Sequence, residues 1–247
     1  METFRRLFLV AALAGLISGL FIAVVHQVST TPLILAAEQY EAAAPVDETA
    51  VDETAAADTT THTHDDGAAH DHGSGDAWAP ADGWERTLST AVADVLTGIG
   101  FSLLLVAAYR IWGGAMNWRT GLYWGLAGFA AIVASPNLGL PPEVPGTAAA
   151  PLLDRQIWWL ATVALTAAGL AMIFQGKRYW WAALGLALIV LPHAYGAPQP
   201  AEHASLAPEA LSHRFIVAAT IVGLLFWSVL GAATGYFYNR VFKDAAA

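Results

Sequence analysis

Cysteine is absent from all 247 residues, which excludes disulfides, thiolate metal ligands and cysteine nucleophiles. Charge is scarce too. Asp, Glu, Lys and Arg make up 13% of the chain, against about 25% in soluble globular domains. A chain so poor in charge, and 56% hydrophobic, is tested first as a membrane protein. Catalytic and nucleotide signatures are also missing: there is no H-E-x-x-H, G-x-S-x-G, C-x-x-C-H or G-x-x-x-x-G-K-[ST] sequence. The first three absences weigh against an enzyme, including one holding heme through His26 and His193. The fourth means that energy from ATP would have to come from another protein. The net charge of −9 weighs against a nucleic-acid partner.

What is present is apolar sequence in six stretches, approximately 7–28, 88–109, 122–134, 157–174, 179–191 and 215–238. A helix needs about 20 apolar residues to cross roughly 30 Å of hydrocarbon. The first, second and last stretches meet that length, the fourth is adequate, and the third and fifth are short. Flanking "RTGLYWG" and "KRYWWAA" extend the short ones if their aromatic residues sit at the interface. The expected fold is an all-α integral membrane protein, a six-transmembrane helix bundle. Arg5 and Arg6 precede the first stretch as in a signal peptide, but the run is long for a signal core and no small-residue cleavage site follows. An uncleaved helix is expected.

The basic residues divide eight to three. Arg5, Arg6, Arg110, Arg119, Lys177, Arg178, Arg240 and Lys243 fall on one side, and Arg86, Arg155 and Arg214 on the other. By the positive-inside rule both termini are cytoplasmic and the loop at about 36–84 is outside. The chain thus divides into a first helix (1–35), an acidic histidine-rich outer loop (36–84) and a five-helix membrane region (85–247) packing with helix one. The loop is rich in Ala, Asp, Glu, Thr and His and repeats only "VDETA". It has nothing apolar to bury against its ordering entropy, so most of it is expected to be disordered. Gly15/Gly19, Gly121/Gly125 and Gly231/Gly235 are G-x-x-x-G pairs that let helix backbones approach closely. Trp84, Trp158 and Trp159 at outer ends, and Trp112, Trp118, Trp180 and Trp181 at inner ends, read as interfacial anchors.

All eight histidines fall on or near the outer side. Imidazole and carboxylate together suit divalent first-row metals. The stretch "HTHDDGAAHDH" pairs His62 with His64 and His70 with His72 around three aspartates. These ligands can wrap one ion in interchangeable ways, as a weak and unselective collector, or they belong to a solvated acidic tether. Each outward-running helix meets a proline near its end: Pro32, Pro136 and Pro192. Proline frees carbonyls in the preceding turn, and potential ligands follow it here: Glu38 and Glu41, Asn137 and Glu143, and His193. If their short segment is helical, Glu38 and Glu41 share a face. Ordinary helix stops with polar loop residues are the alternative. Asp94 lies six residues into an apolar stretch, hence roughly 9 Å below its outer boundary. An acid at that depth faces either a polar path or a partner, and His26, at a similar depth, is the candidate partner.

"FRRLFLVAALAGLISGLFIAVVHQ", "TPLILAAEQYE", "SPNLGLPPEVPG", "DRQIWWL" and "LPHAYG", in that order, resemble the CbtA family, the predicted cobalt transporter subunit. The resemblance implies a bacterial inner-membrane protein linked to cobalamin-regulated genes, working beside a small histidine-bearing CbtB-like subunit. It marks Glu38, Glu41, Pro136, Asn137, Glu143 and His193 as motif positions. The function expected is that of a membrane transporter subunit for uptake of Co2+ or Ni2+, with the metal as cargo and no prosthetic group. His26, Glu38, Glu41, His62, His64, His70, His72, Asp94, Asn137, Glu143 and His193 are its candidate metal ligands. The alternative is a membrane-anchored accessory or sensing protein that hands the ion to a separate permease. The lipid bilayer is a partner in either case, and a homo-oligomer remains open.

Overall fold

A computed structural model describes residues 1–44, 80–202 and 204–243. The stretch carrying His62, His64, His70 and His72 lies outside the described residues, as does His203. Helices build the fold: α1 (Glu2–Val28), α2 (Thr31–Ala42), α3 (Trp84–Trp112), α4 (Trp118–Phe129), α5 (Ser135–Asn137), α6 (Leu152–Gln175), α7 (Tyr179–Tyr195) and α8 (Glu209–Lys243). No strand occurs among the described residues, and a single bridge joins Thr147 to Ser205.

Local chemistry sets the boundaries. Gly113 ends α3 in the left-handed conformation (φ 72°), which a residue bearing a Cβ disfavours. The Asn117 side chain then caps α4 by accepting from the N–H groups of Arg119 and Thr120 at 2.9 and 3.1 Å. Of the three prolines expected near helix ends, only Pro32 follows a break, since α1 stops at Val28 and Pro32 lies in the first turn of α2. Pro136 is instead preceded by a π-helical turn, Ala130–Ala134, which carries the helix from α4 into α5. The wider turn relieves the clash of the proline ring with the carbonyl four residues back. Pro192 sits inside the last turn of α7.

Among the described residues four helices, α1, α3, α6 and α8, are long and apolar enough to cross a membrane. This falls short of the six expected. The α7 helix has 17 residues, bounded by the basic loop at Lys177 and Arg178 and by Gly196, and α4 has 12 before the π turn interrupts its α-helical pattern. The start of the long loop also differs from expectation, since α2 holds residues 36–42 in helix.

Glycine faces seat the helices on one another. A Cβ on Gly15 or Gly19 of α1 would fall on the backbone of Ile99 or Val95 of α3. Gly121 and Gly125 of α4 meet Gly231 and Gly235 of α8 backbone to backbone, and Gly169 of α6 meets Gly185 of α7 in the same way. In lipid such close contact supplies the packing attraction that water would otherwise drive. The α1 helix presents Val10, Ala14, Ser18 and Ile22 to the interior and packs against both α3 and α8. Ser102 of α3 hydrogen-bonds Thr234 of α8 at 2.9 Å. The expected interfacial anchor Trp158 is buried, since its indole Nε1 donates to the Pro192 carbonyl at 3.2 Å.

Candidate functional site

Where α1 stops and α3 starts, a cleft of about 560 Å³ opens between α1, α2, α3 and α8. Its wall sets polar groups, among them His26, Thr30, Asp82, Arg86, Thr87 and Thr90, beside the apolar Ile34, Leu35 and Phe215. The Arg86 guanidinium grips both oxygens of Glu38, at 3.1 and 2.5 Å, and also donates to Asp82 at 3.1 Å. This ties α2 to the first turn of α3. Glu41, one turn beyond Glu38, is exposed.

Asp94 lies two turns further along α3 than Arg86, about 12 Å by the helical rise. Its Oδ1 is 3.9 Å from His26 Nε2, and its Oδ2 is buried without a hydrogen-bond partner. The 3.9 Å separation is too long for a hydrogen bond. The two side chains are 27% and 18% exposed, with His26 on the cleft wall. Their approach depends on the small faces below them: a Cβ on Gly19 would lie 2.9 Å from the Asp94 carbonyl carbon. Two turns further along α3 from Asp94, the Phe101 ring packs 4.8 Å from Trp227 and 6.3 Å from Phe226. The pair of groups able to hold a cation stands at the edge of this cleft, with His26 on its wall and Asp94 behind it. The nearest donors, His26 and Asp94, are of the types that bind divalent first-row ions.

The remaining candidates lie elsewhere. His193 Nε2 is hydrogen-bonded to Ser135 Oγ at 3.1 Å, Ser135 in turn to Thr166 at 2.9 Å, and the His193 ring meets Trp158 edge-on at 5.8 Å. Asn137 donates to Thr220 at 3.4 Å, and Glu143 accepts from Arg155 at 3.1 Å. Among the described residues no group of three or more His, Asp or Glu converges on one point.

The family model described as "Probable cobalt transporter subunit (CbtA)" matches residues 4–239. The chain belongs to the CbtA family. No curated protein and no solved structure matches it. The match runs from α1 to α8, and with the four long apolar helices it makes this family member a multi-pass membrane protein of cobalt transport. For a CbtA chain the polar groups inside the bundle acquire a cargo to consider. Several of them escaped the sequence reading: Thr30, Ser135, Thr166 and Thr220 carry no charge and look like ordinary helix hydroxyls. Only the i, i+4 spacing of His26 and Thr30 hinted that they touch.

Proposed function

We propose that this CbtA chain is a cobalt uptake subunit in which Co2+ enters the cleft past its polar side chains and is held between His26 and Asp94. The observation that carries this reading is the facing pair itself, an imidazole nitrogen and a carboxylate 3.9 Å apart with the second carboxylate oxygen unpartnered. An acid left unpaired within a membrane helix is costly and is kept where a cation or a water path compensates it. The hydroxyls of Thr87 and Thr90 along the cleft replace part of the shed hydration shell. The Thr87 and Thr90 hydroxyls donate back to the Gly83 and Arg86 carbonyls, so their oxygens keep lone pairs for an ion.

In this reading the chain crosses the membrane six times, with α7 and the continuous α4–α5 segment as the two short crossings. The termini are cytoplasmic and the cleft opens outward, consistent with the eight-to-three division of basic residues. The histidine-rich loop collects metal for the site. A membrane potential of 100 mV, inside negative, favours entry of a dication by about 4.6 kcal/mol.

The deciding experiment is uptake of labelled cobalt into cells expressing this chain alone and together with a small CbtB-like subunit. Uptake above empty cells in either case is expected; uptake equal to empty cells in both would end the transport reading. Orientation is tested by a single cysteine at Gly67, which should react with an impermeant thiol reagent in intact cells. Labelling only after lysis would reverse the topology.

A further inference from the structure

Thr30 occupies the N-cap position of α2, where a threonine ordinarily turns its hydroxyl onto the N–H of the second or third helical residue. Here no side-chain cap bond forms. Two features of the local sequence explain this. Pro32, the second helical residue, has no N–H, and the N–H of Leu33 is taken by the Thr30 carbonyl at 3.1 Å. The hydroxyl turns back across the junction instead, and its Oγ1 lies 2.6 Å from Nδ1 of His26. Thr30 is 3% exposed, so bulk water does not compete for this contact.

The contact can run in two directions. If Nδ1 accepts from the hydroxyl, the ring proton is on Nε2 and points toward Asp94. At 3.9 Å it does not reach the carboxylate, and Asp94 Oδ2 is left without a donor as well. If Nδ1–H donates to Thr30 Oγ1, the Nε2 lone pair and the Asp94 carboxylate face each other with no proton between them. Convergence of lone pairs on a single point is the arrangement that a divalent cation completes. A histidine that binds a metal through one nitrogen characteristically donates from the other, which fixes both tautomer and ring orientation.

We propose that Thr30 is a positioning residue for the cation site: its hydroxyl accepts the Nδ1 proton of His26 and so presents the Nε2 lone pair to the cargo ion. This rests on the reading that His26 and Asp94 take Co2+. It adds a chemical role for a residue that never touches the ion. The Thr30-Thr31-Pro32 sequence that opens α2 is then part of the site, because Pro32 denies the Thr30 hydroxyl one of its usual capping partners.

The test uses the full chain in nanodiscs, with the His26 signal identified by its loss in His26→Gln. Nitrogen-15 NMR of the metal-free protein is expected to show neutral His26 protonated at Nδ1. Thr30→Val keeps the shape and removes the hydroxyl. It should shift His26 toward the Nε2-protonated form and weaken Co2+ binding by about 10- to 100-fold, as loss of an outer partner of a ligating histidine does. Thr30→Ser should restore both. Wild-type His26 protonated at Nε2 overturns the proposal, as does a Thr30→Val protein with wild-type tautomer and affinity. Thr30→Ser behaving like Thr30→Val would assign the effect to the methyl group and overturn it too. Absence of Co2+ binding by a well-folded wild-type chain would instead remove the cation site. The tautomer measurement stands apart, since it is made without metal.

Discussion

His26 and His193 each stand in the last turn of a helix, each touches a hydroxyl, and they differ in what is left over. Around His193 the contacts run from one helix to the next. Ser135 joins it to Thr166, and Trp158 covers the ring while donating to Pro192. The group staples the π turn before Pro136 to α6 and α7. Around His26 the contacts stop short: Thr30 meets Nδ1, whereas Nε2 stands 3.9 Å from Asp94 Oδ1, too far for a hydrogen bond, and Asp94 Oδ2 has no partner. A polar group inside a membrane bundle is stable when its partners are built in, and costly when they are not. The difference therefore separates a cluster that serves packing from one suited to receive an ion.

The contrast breaks most sharply at Asp94. A carboxylate and a dication about 4 Å apart attract by on the order of 8 kcal/mol at an effective dielectric near 20, much of it offset by lost hydration. Asp94→Asn keeps the size and most hydrogen-bonding capacity, so membrane abundance should hold while labelled-cobalt uptake falls about 100-fold, roughly 3 kcal/mol of that attraction. Wild-type uptake by an abundant Asp94→Asn protein would move the route elsewhere, toward Glu38, Glu41 or His193.

Ser135→Ala should behave in the opposite way. It strips a partner from Thr166 and His193, so unfolding in detergent should become easier by about 1–3 kcal/mol. Uptake per surviving molecule should stay near wild type. If uptake collapses with stability unchanged, the His193 cluster carries the ion and the two regions exchange roles.

The smallest effect is expected from deleting residues 61–73. Redundant, interchangeable ligands raise the local supply of metal without selecting it, so the deletion should lower uptake at scarce cobalt and leave it nearly intact at abundant cobalt. Loss of uptake at every concentration would put the main site in the loop and make the comparison of His26 with His193 secondary.

Composition and apolar run length were enough to specify a helical membrane protein, because a span needs only a local sum of hydrophobicity, which no distant residue alters. Spacing was enough to mark Gly15/Gly19, Gly121/Gly125 and Gly231/Gly235 as packing faces, and depth within a run singled out Asp94. Which faces meet was not legible. The placement of Glu38 against Arg86, Glu143 against Arg155 and His193 against Ser135 depends on neighbours 48, 12 and 58 residues away. Only the tertiary structure decided which ionisable residues are paired and which are left open, because satisfaction of a buried polar group is a property of its surroundings and not of the residue. His26 and Asp94 are neighbours because α1 and α3 lie backbone to backbone over Gly15 and Gly19, a contact made between helices and written in neither of them alone.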